Sequence, residues 1–176
     1  MAVHLRALHG NDALPIYQYM QSEDMHRFLT DQVPFPYTTE HAFQFVDQAM
    51  GCFPLTCAID SDGVFAGVIG LNEKGDIFRV NLEIGYWLAK PFWGQGIMSE
   101  AIRQMTNVAF RQSDITRVFA NVFAENIGSI RALEKNGYER EGYHPDSLIK
   151  HNTIWDCAVY AMTKKRWYAA HPFQSI

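Results

Sequence analysis

The fold is decided by the stretch Leu82-Glu83-Ile84-Gly85-Tyr86-Trp87-Leu88, then Ala89-Lys90-Pro91-Phe92-Trp93, then Gly94-Gln95-Gly96-Ile97-Met98-Ser99-Glu100-Ala101. In its first part, apolar residues occupy every second position, which predicts a strand over 81–88. Apolar residues at every fourth position from Ile97 to Ala109 predict an amphipathic helix over about 97–110. A turn with two glycines therefore joins a strand to a helix.

This turn has the chemistry of an anion site, because the first amides of a helix lack partners within it and glycines let an anion approach them. It could hold a phosphate or pyrophosphate without a basic side chain. A G-x-G turn alone is a weak signal, so a turn that binds nothing is the alternative. A phosphate loop of the NTPase kind is excluded, since Ile97 follows Gly96 where lysine is needed. A dinucleotide turn is disfavoured, since residues 90–93 separate the strand from the first glycine.

The rest of the chain predicts an α/β (α+β) fold, with helices, then antiparallel hairpins, then one β-α-β unit. Further strands are predicted at 3–8, 55–59, 64–71, 117–123 and 155–162, and further helices at 13–21, 25–29, 38–50 and 127–135. Asp12 is a candidate cap of the first helix, and Phe43, Val46 and Met50 are expected on the buried side of the third. No repeat or linker interrupts residues 1–176, so a single domain is expected.

Composition narrows the function. The chain has 176 residues, 48% of them hydrophobic, and a net charge of −4, which disfavours a nucleic-acid partner. The longest apolar run, Val64–Leu71, is far shorter than the roughly 20 residues that cross a bilayer, so no membrane partner is expected. Cys52, Cys57 and Cys157 form no C-x-x-C pair, and the N-terminal residues lack a signal-peptide core. These features predict a cytoplasmic protein with reduced thiols, and the histidine spacing predicts no metal site.

Three blocks follow one another along the chain. The first is Trp87–Ala101 with its glycine turn; the second runs from Asn126-Ile127-Gly128-Ser129 through Glu134-Lys135-Asn136-Gly137-Tyr138 to Gly142; the third is Asp156–Trp167. Together they resemble the GNAT superfamily of N-acetyltransferases, most closely its RimJ/RimL-like branch, which acetylates protein N-termini or other amines. The resemblance covers about residues 3–168.

The resemblance implies a mixed, mostly antiparallel sheet of six or seven strands, splayed between strands 81–88 and 117–123, with helices on both faces. It also implies acetyl-CoA as co-substrate. By this likeness, the backbone of Tyr86, Trp87 and Leu88 pairs with the pantetheine arm, and Asn126 hydrogen-bonds it. The amides of Gly94, Gln95, Gly96, Ile97, Met98 and Ser99 would hold the pyrophosphate. Two positions depart from the pattern: Trp93 replaces an Arg or Gln, and Met98 replaces a small residue.

The expected reaction is direct attack of a neutral amine on the thioester, which needs a base because a free alkylamine is protonated at neutral pH. Glu83 lies on the more polar face of its strand and at the position where the family's base is often found; a solvated glutamate is the alternative. Many members carry a tyrosine acid where Leu133 stands. Ser129 is then the candidate acid, with an ordinary helix serine as the alternative.

The acceptor is a protein N-terminal α-amine or a small-molecule amine, and the likeness places Phe35, Tyr37, His144 and Asp146 beside its cleft. Dimers are common in the branch, although no pattern here demands a homodimer. The alternative function is a non-catalytic acyl-CoA-binding or sensing domain of the same fold. Loss of the tyrosine acid favours that alternative, whereas retention of Glu83 and Ser129 argues against it.

Overall fold

A computed structural model describes residues 2–172, and within them it contains seven strands and six helices. The strands are β1 (Val3–Arg6), β2 (Thr56–Ser61), β3 (Val64–Glu73), β4 (Asn81–Leu88), β5 (Arg117–Phe123), β6 (Glu139–Lys150) and β7 (Thr153–Thr163). The helices are α1 (Ala13–Tyr19), α2 (Glu23–His26), α3 (Thr39–Ala49), α4 (Ile97–Arg111), α5 (Ile127–Glu134) and α6 (Lys164–Ala170). None of the helices between residues 2 and 172 combines the length and the apolar character needed to cross a bilayer.

The strands are hydrogen-bonded in the order β1-β2-β3-β4-β5-β7-β6. β4 and β5 pair in parallel, whereas the β1–β2, β2–β3, β5–β7 and β6–β7 pairs are antiparallel. The predicted mixed, mostly antiparallel sheet is therefore confirmed. By its internal contacts the chain divides into two compact units, one of residues up to 70 with 86–97, the other of residues 71–85 with those from 98 onward.

The first unit contains β1, β2, α1, α2 and α3, and its core includes Ile16, Met20 and Val46. The prediction that Phe43 and Met50 face this core is wrong, since they are 52% and 43% exposed. The small residues Ala42 and Ala49 occupy the buried positions of α3 beside Val46. Close packing against α1 favours small side chains there, and periodicity alone does not reveal that requirement.

In the second unit, α6 packs against β7. One face of β5, formed by Val118, Ala120 and Val122, is buried, as is Trp167 of α6. Strand β6 was not predicted, because its sequence is polar and contains Gly142 and Pro145. It is the last strand in the sheet order, and its register shifts near both residues. Edge strands tolerate such bulges and prolines.

The sequence predicted that the Asp12 side chain caps α1, and this prediction is wrong, because the Asp12 side chain makes no capping hydrogen bond. Its buried carboxylate accepts hydrogen bonds from both terminal nitrogens of Arg6 at 2.8 Å and from the His9 backbone N–H at 3.0 Å. Burial by itself raises the pKa of Asp12, but the Arg6 and His9 hydrogen bonds outweigh it and hold the pKa below its usual value. The pair joins β1 to the start of α1.

We expect Asp12→Asn to lower the free energy of unfolding by about 2 kcal/mol at pH 7, the cost of a buried charge-assisted hydrogen bond. The folded-state pKa lies below the unfolded value, so this contribution is present above about pH 4 and is lost as the pH falls. In urea titrations, the difference in unfolding free energy between wild type and variant should therefore become smaller from pH 5 to pH 3. Asp47→Asn, at an exposed position of α3, is the control. A difference that stays constant with pH would contradict this account.

Candidate functional site

The end of β4 is fixed within the first unit by a close backbone approach. A Cβ atom on Gly67 of β3 would lie 2.3 Å from the Trp87 carbonyl oxygen and 3.0 Å from the Leu88 Cα. Glycine is therefore required at this position. Trp93 adds a second restraint, since its indole N–H donates to the Leu88 carbonyl oxygen at 2.6 Å. This role accounts for an aromatic residue where the family pattern has Arg or Gln.

The predicted glycine turn follows in the same unit. Gly94 and Gly96 have φ angles of +73° and +79°, in the left-handed region that favours glycine. Residues 94–96 are exposed, and the Gln95 side chain turns back to donate to the Pro91 carbonyl oxygen at 2.8 Å. α4 begins at the next residue, Ile97, which is fully buried. The turn therefore places exposed, glycine-lined backbone beside the start of a fifteen-residue helix.

α4 belongs to the second unit from Met98 onward, and there its first turn is tied to the end of α5. The Asn136 side chain donates to the Ser99 and Ala132 carbonyl oxygens, each at 2.9 Å. Glu100 is neutralised locally, because its carboxylate accepts two hydrogen bonds from Arg103, at 2.6 and 2.8 Å. The Arg103 hydrogen bond holds the pKa of Glu100 below its usual value. Because Glu100 is paired with Arg103, its charge repels an anion at this helix start less than a lone carboxylate would. Met98, in the same turn, is half-buried.

Asn126 and Ser129 lie at the start of α5. The Asn126 side-chain oxygen accepts from the Ser129 backbone N–H at 3.1 Å, so Asn126 caps α5. Ser129 itself is half-buried in the first turn. Leu133 is fully buried, and the Tyr138 hydroxyl is used inside the core, 2.8 Å from Thr106 Oγ1. Of Ser129, Leu133 and Tyr138, only Ser129 therefore carries a hydroxyl group that is not fully buried in the core.

Glu83 stands where the parallel ladder between β4 and β5 ends. The ladder pairs Asn81 with Arg117, Leu82 with Val118, and Glu83 with Phe119, although both strands continue, to residues 88 and 123. The ladder between these two strands thus comprises three residue pairs. A strand that runs on past its ladder offers backbone groups to an added partner.

The Glu83 carboxylate is held from two sides. Lys74 Nζ lies 2.5 Å from Oε2, and the Asn121 side-chain amide donates to Oε1 at 2.8 Å. Asn121 in turn lies 4.0 Å, through its oxygen, from the Sγ of the buried Cys157. Burial raises the pKa of that thiol, which keeps it protonated and able to donate. The Ala158 carbonyl oxygen lies 3.8 Å from the same sulfur, so the bond from Asn121 to Glu83 is the shorter of the contacts that fix the Asn121 amide.

Lys74 and Asn121 were not predicted as site residues. Asn121 has the same strand parity as Phe119, the partner of Glu83, so the parallel register would have revealed it. Lys74 follows β3 in a connection with no periodic signal, and only the folded chain brings it to Glu83.

Each unit contains two of the candidate acceptor residues. In the first unit, the rings of Phe35 and Tyr37 lie 4.7 and 6.4 Å from the buried His26 ring. In the second unit, His144 and Asp146 are exposed residues of β6. The Asp146 backbone N–H donates to Asp156 at 2.9 Å. The structure thus brings Phe35 together with Tyr37.

A family model described as an acetyltransferase (GNAT) domain matches residues 2–139. This chain belongs to the GNAT acetyltransferase family. YnaD of Bacillus subtilis (strain 168), named as an uncharacterised N-acetyltransferase, is 26% identical over 167 residues, which cover 93% of this chain and 94% of YnaD. YdaF of the same organism, a candidate ribosomal N-acetyltransferase, is 33% identical over 106 residues. That match covers 60% of this chain and 57% of YdaF.

Solved structures show the same fold. RimL, a ribosomal L7/L12 α-N-protein acetyltransferase in complex with coenzyme A, superposes with a TM-score of 0.80 at 21% identity, covering 94% of this GNAT chain and 96% of RimL. The family predicted from the three sequence blocks is confirmed, and these likenesses agree with its RimJ/RimL-like branch.

Gly67→Ala tests the close approach that fixes the end of β4. The added methyl group must displace the Trp87–Leu88 backbone, so we expect the free energy of unfolding to fall by about 2 kcal/mol, as for overpacked cores. Gly70→Ala in the same strand is the control, because its Cβ would meet backbone no closer than 3.4 Å. Equal stability losses in the two variants, measured by guanidinium titration, would show that the approach at Gly67 imposes no constraint.

Proposed function

We propose that this protein is an acetyl-CoA-dependent N-acetyltransferase that transfers an acetyl group to a primary amine by direct attack. The observation that carries the proposal is the position of Glu83, a half-buried carboxylate held in place at the residue where the β4–β5 ladder ends. A base of this kind, next to strand backbone that continues beyond its ladder, suits proton removal from an amine beside an acyl donor.

Acetyl-CoA would supply the activated thioester. We assign to it the residues named by the family likeness: the backbone of 86–88, the glycine turn, Met98, Ser99 and Asn126. They fit the group because β4 continues past its ladder with β5, and left-handed glycines expose the turn. Pairing of Glu100 with Arg103 removes a charge that would repel a pyrophosphate. The coenzyme A complex of RimL supports the same assignment.

Glu83 would take the proton from the incoming ammonium, directly or through one water. A carboxylate has about four lone-pair sites, and Lys74 and Asn121 occupy two, so acceptor capacity remains. The two donors also stop the side chain from rotating, which favours catalysis by preorganisation. We assign Ser129 as the group that protonates or stabilises the departing thiolate, since Leu133 carries no proton and Tyr138 is used in the core.

The acceptor would be a protein N-terminal α-amine or a small-molecule amine. The name of YdaF, a candidate ribosomal N-acetyltransferase, supports the protein acceptor. Mass-spectrometric detection of acetylated peptides and amines, with purified protein and acetyl-CoA, tests the proposal. Tight coenzyme A binding without turnover of any amine would favour the alternative, an acyl-CoA-sensing domain.

We expect Glu83→Gln to lower kcat/KM for the best acceptor by about 100-fold or more at pH 7, since it removes the base. The Kd for coenzyme A, measured by calorimetry, should change little, because the substitution preserves the shape of the side chain and the backbone groups assigned to coenzyme A belong to other residues. Glu73→Gln, at an exposed position of β3, is the control and should retain wild-type rates of thiol release. Unchanged kcat/KM in Glu83→Gln at every pH would remove Glu83 as the base.

A further inference from the structure

A cavity of about 370 Å³ lies within the second unit, beside the Glu83 carboxylate. It is lined by Lys74, Gly75, Phe78, Asn81, Arg117 and Phe119. Lys74 is shared between the cavity and the candidate site, because its ammonium is the group that contacts Glu83. Asn81 and Glu83 have the same parity on β4, so the cavity opens on the sheet face that carries the proposed base.

The charge of this lining is opposite to that of the whole chain. The protein has a net charge of −4, yet the cavity is lined by two cations, an amide and two aromatic rings, with no acidic side chain among the six residues. Both cations sit near the Phe119 ring, with Lys74 Nζ 5.6 Å and Arg117 Cζ 4.7 Å from its centroid. Each cation is paired with a carboxylate outside the lining, Lys74 with Glu83 and Arg117 with Glu141. The lining itself therefore offers hydrogen-bond donors to an anionic group and no carboxylate to a cationic one.

Both cations keep donors for a ligand. Arg117 uses Nε and Nη2 toward Glu141 and Nη1 toward Asn81, which leaves two of its five N–H groups. Lys74 uses one of its three N–H groups toward Glu83. Phe78, 64% exposed, offers an apolar surface at the same cavity. A carboxylate next to a short apolar chain matches this set of groups.

The spacing fits an acceptor that spans both places. Phe119 is the ladder partner of Glu83, and Arg117 lies two residues before it, which is on the order of 7 Å along a strand. An amine at Glu83 and a carboxylate at Arg117 are thus separated by about the reach of an acidic side chain on the second residue of a peptide.

We propose that this cavity binds a carboxylate carried by the acceptor, so that the preferred acceptors are amines with an acidic group a few bonds from the nitrogen. This inference rests on the proposed acetyl transfer. The carboxylate could belong to an acidic residue of a peptide or to a free amino acid, and the two sources share the same recognition chemistry.

The test uses three amidated tetrapeptides that begin with alanine and carry glutamate, glutamine or lysine at the second position, together with free glutamate. We expect kcat/KM for the glutamate peptide to exceed that for the lysine peptide by about tenfold or more, the worth of a charge-assisted hydrogen bond. Arg117→Gln should bring the glutamate-to-glutamine ratio close to one. Arg111→Gln, which removes an exposed cation at the end of α4, should preserve the ratio.

Peptide Kd values, measured by calorimetry with coenzyme A present, separate this inference from the proposed function. If no amine is acetylated but the glutamate peptide binds about tenfold more tightly than the lysine peptide, the cavity assignment stands and acetyl transfer fails. Acetylation of free glutamate but not of the glutamate peptide would identify a free amino acid as the source of the carboxylate, and the reverse result would identify a peptide. Equal kcat/KM and equal Kd for the glutamate and lysine peptides, or a preference for lysine, would overturn the inference.

Discussion

The end of the β4–β5 ladder at Glu83 and Phe119 is the constraint on which the candidate site depends. Backbone groups beyond a ladder must find partners, and a ligand with amides of its own can supply them as an added strand would. The same point places a carboxylate beside that backbone. A single local feature, the end of the β4–β5 ladder after only three residue pairs, thus accounts for both the proposed cofactor site and the proposed base.

Rigidity around this point has separate sources in the two units. In the first, Gly67 and Trp93 fix the backbone of Trp87 and Leu88. In the second, Lys74 and Asn121 hold the Glu83 carboxylate. Groups that are already oriented need no reorganisation during reaction, which is the largest electrostatic advantage available to such a site.

The sequence predicted the features that depend on neighbouring residues. The strand over 81–88, the glycine turn and the helix from Ile97 were found because periodicity and glycine conformation are local signals. Features set by tertiary contact were not found. Strand β6 has a polar, proline-bearing sequence whose pairing with β7 defines it, and Lys74 reaches Glu83 only in the folded chain. The buried Asp12, expected as a cap, is held by Arg6 instead.

Amide hydrogen exchange with and without coenzyme A reports directly on the backbone groups assigned to the cofactor. We predict that saturating coenzyme A slows exchange at residues 86–88 and 94–99 and leaves β1 (Val3–Arg6) unchanged. Exchange at residues 86–88 and 94–99 that is the same with and without bound coenzyme A would contradict the account.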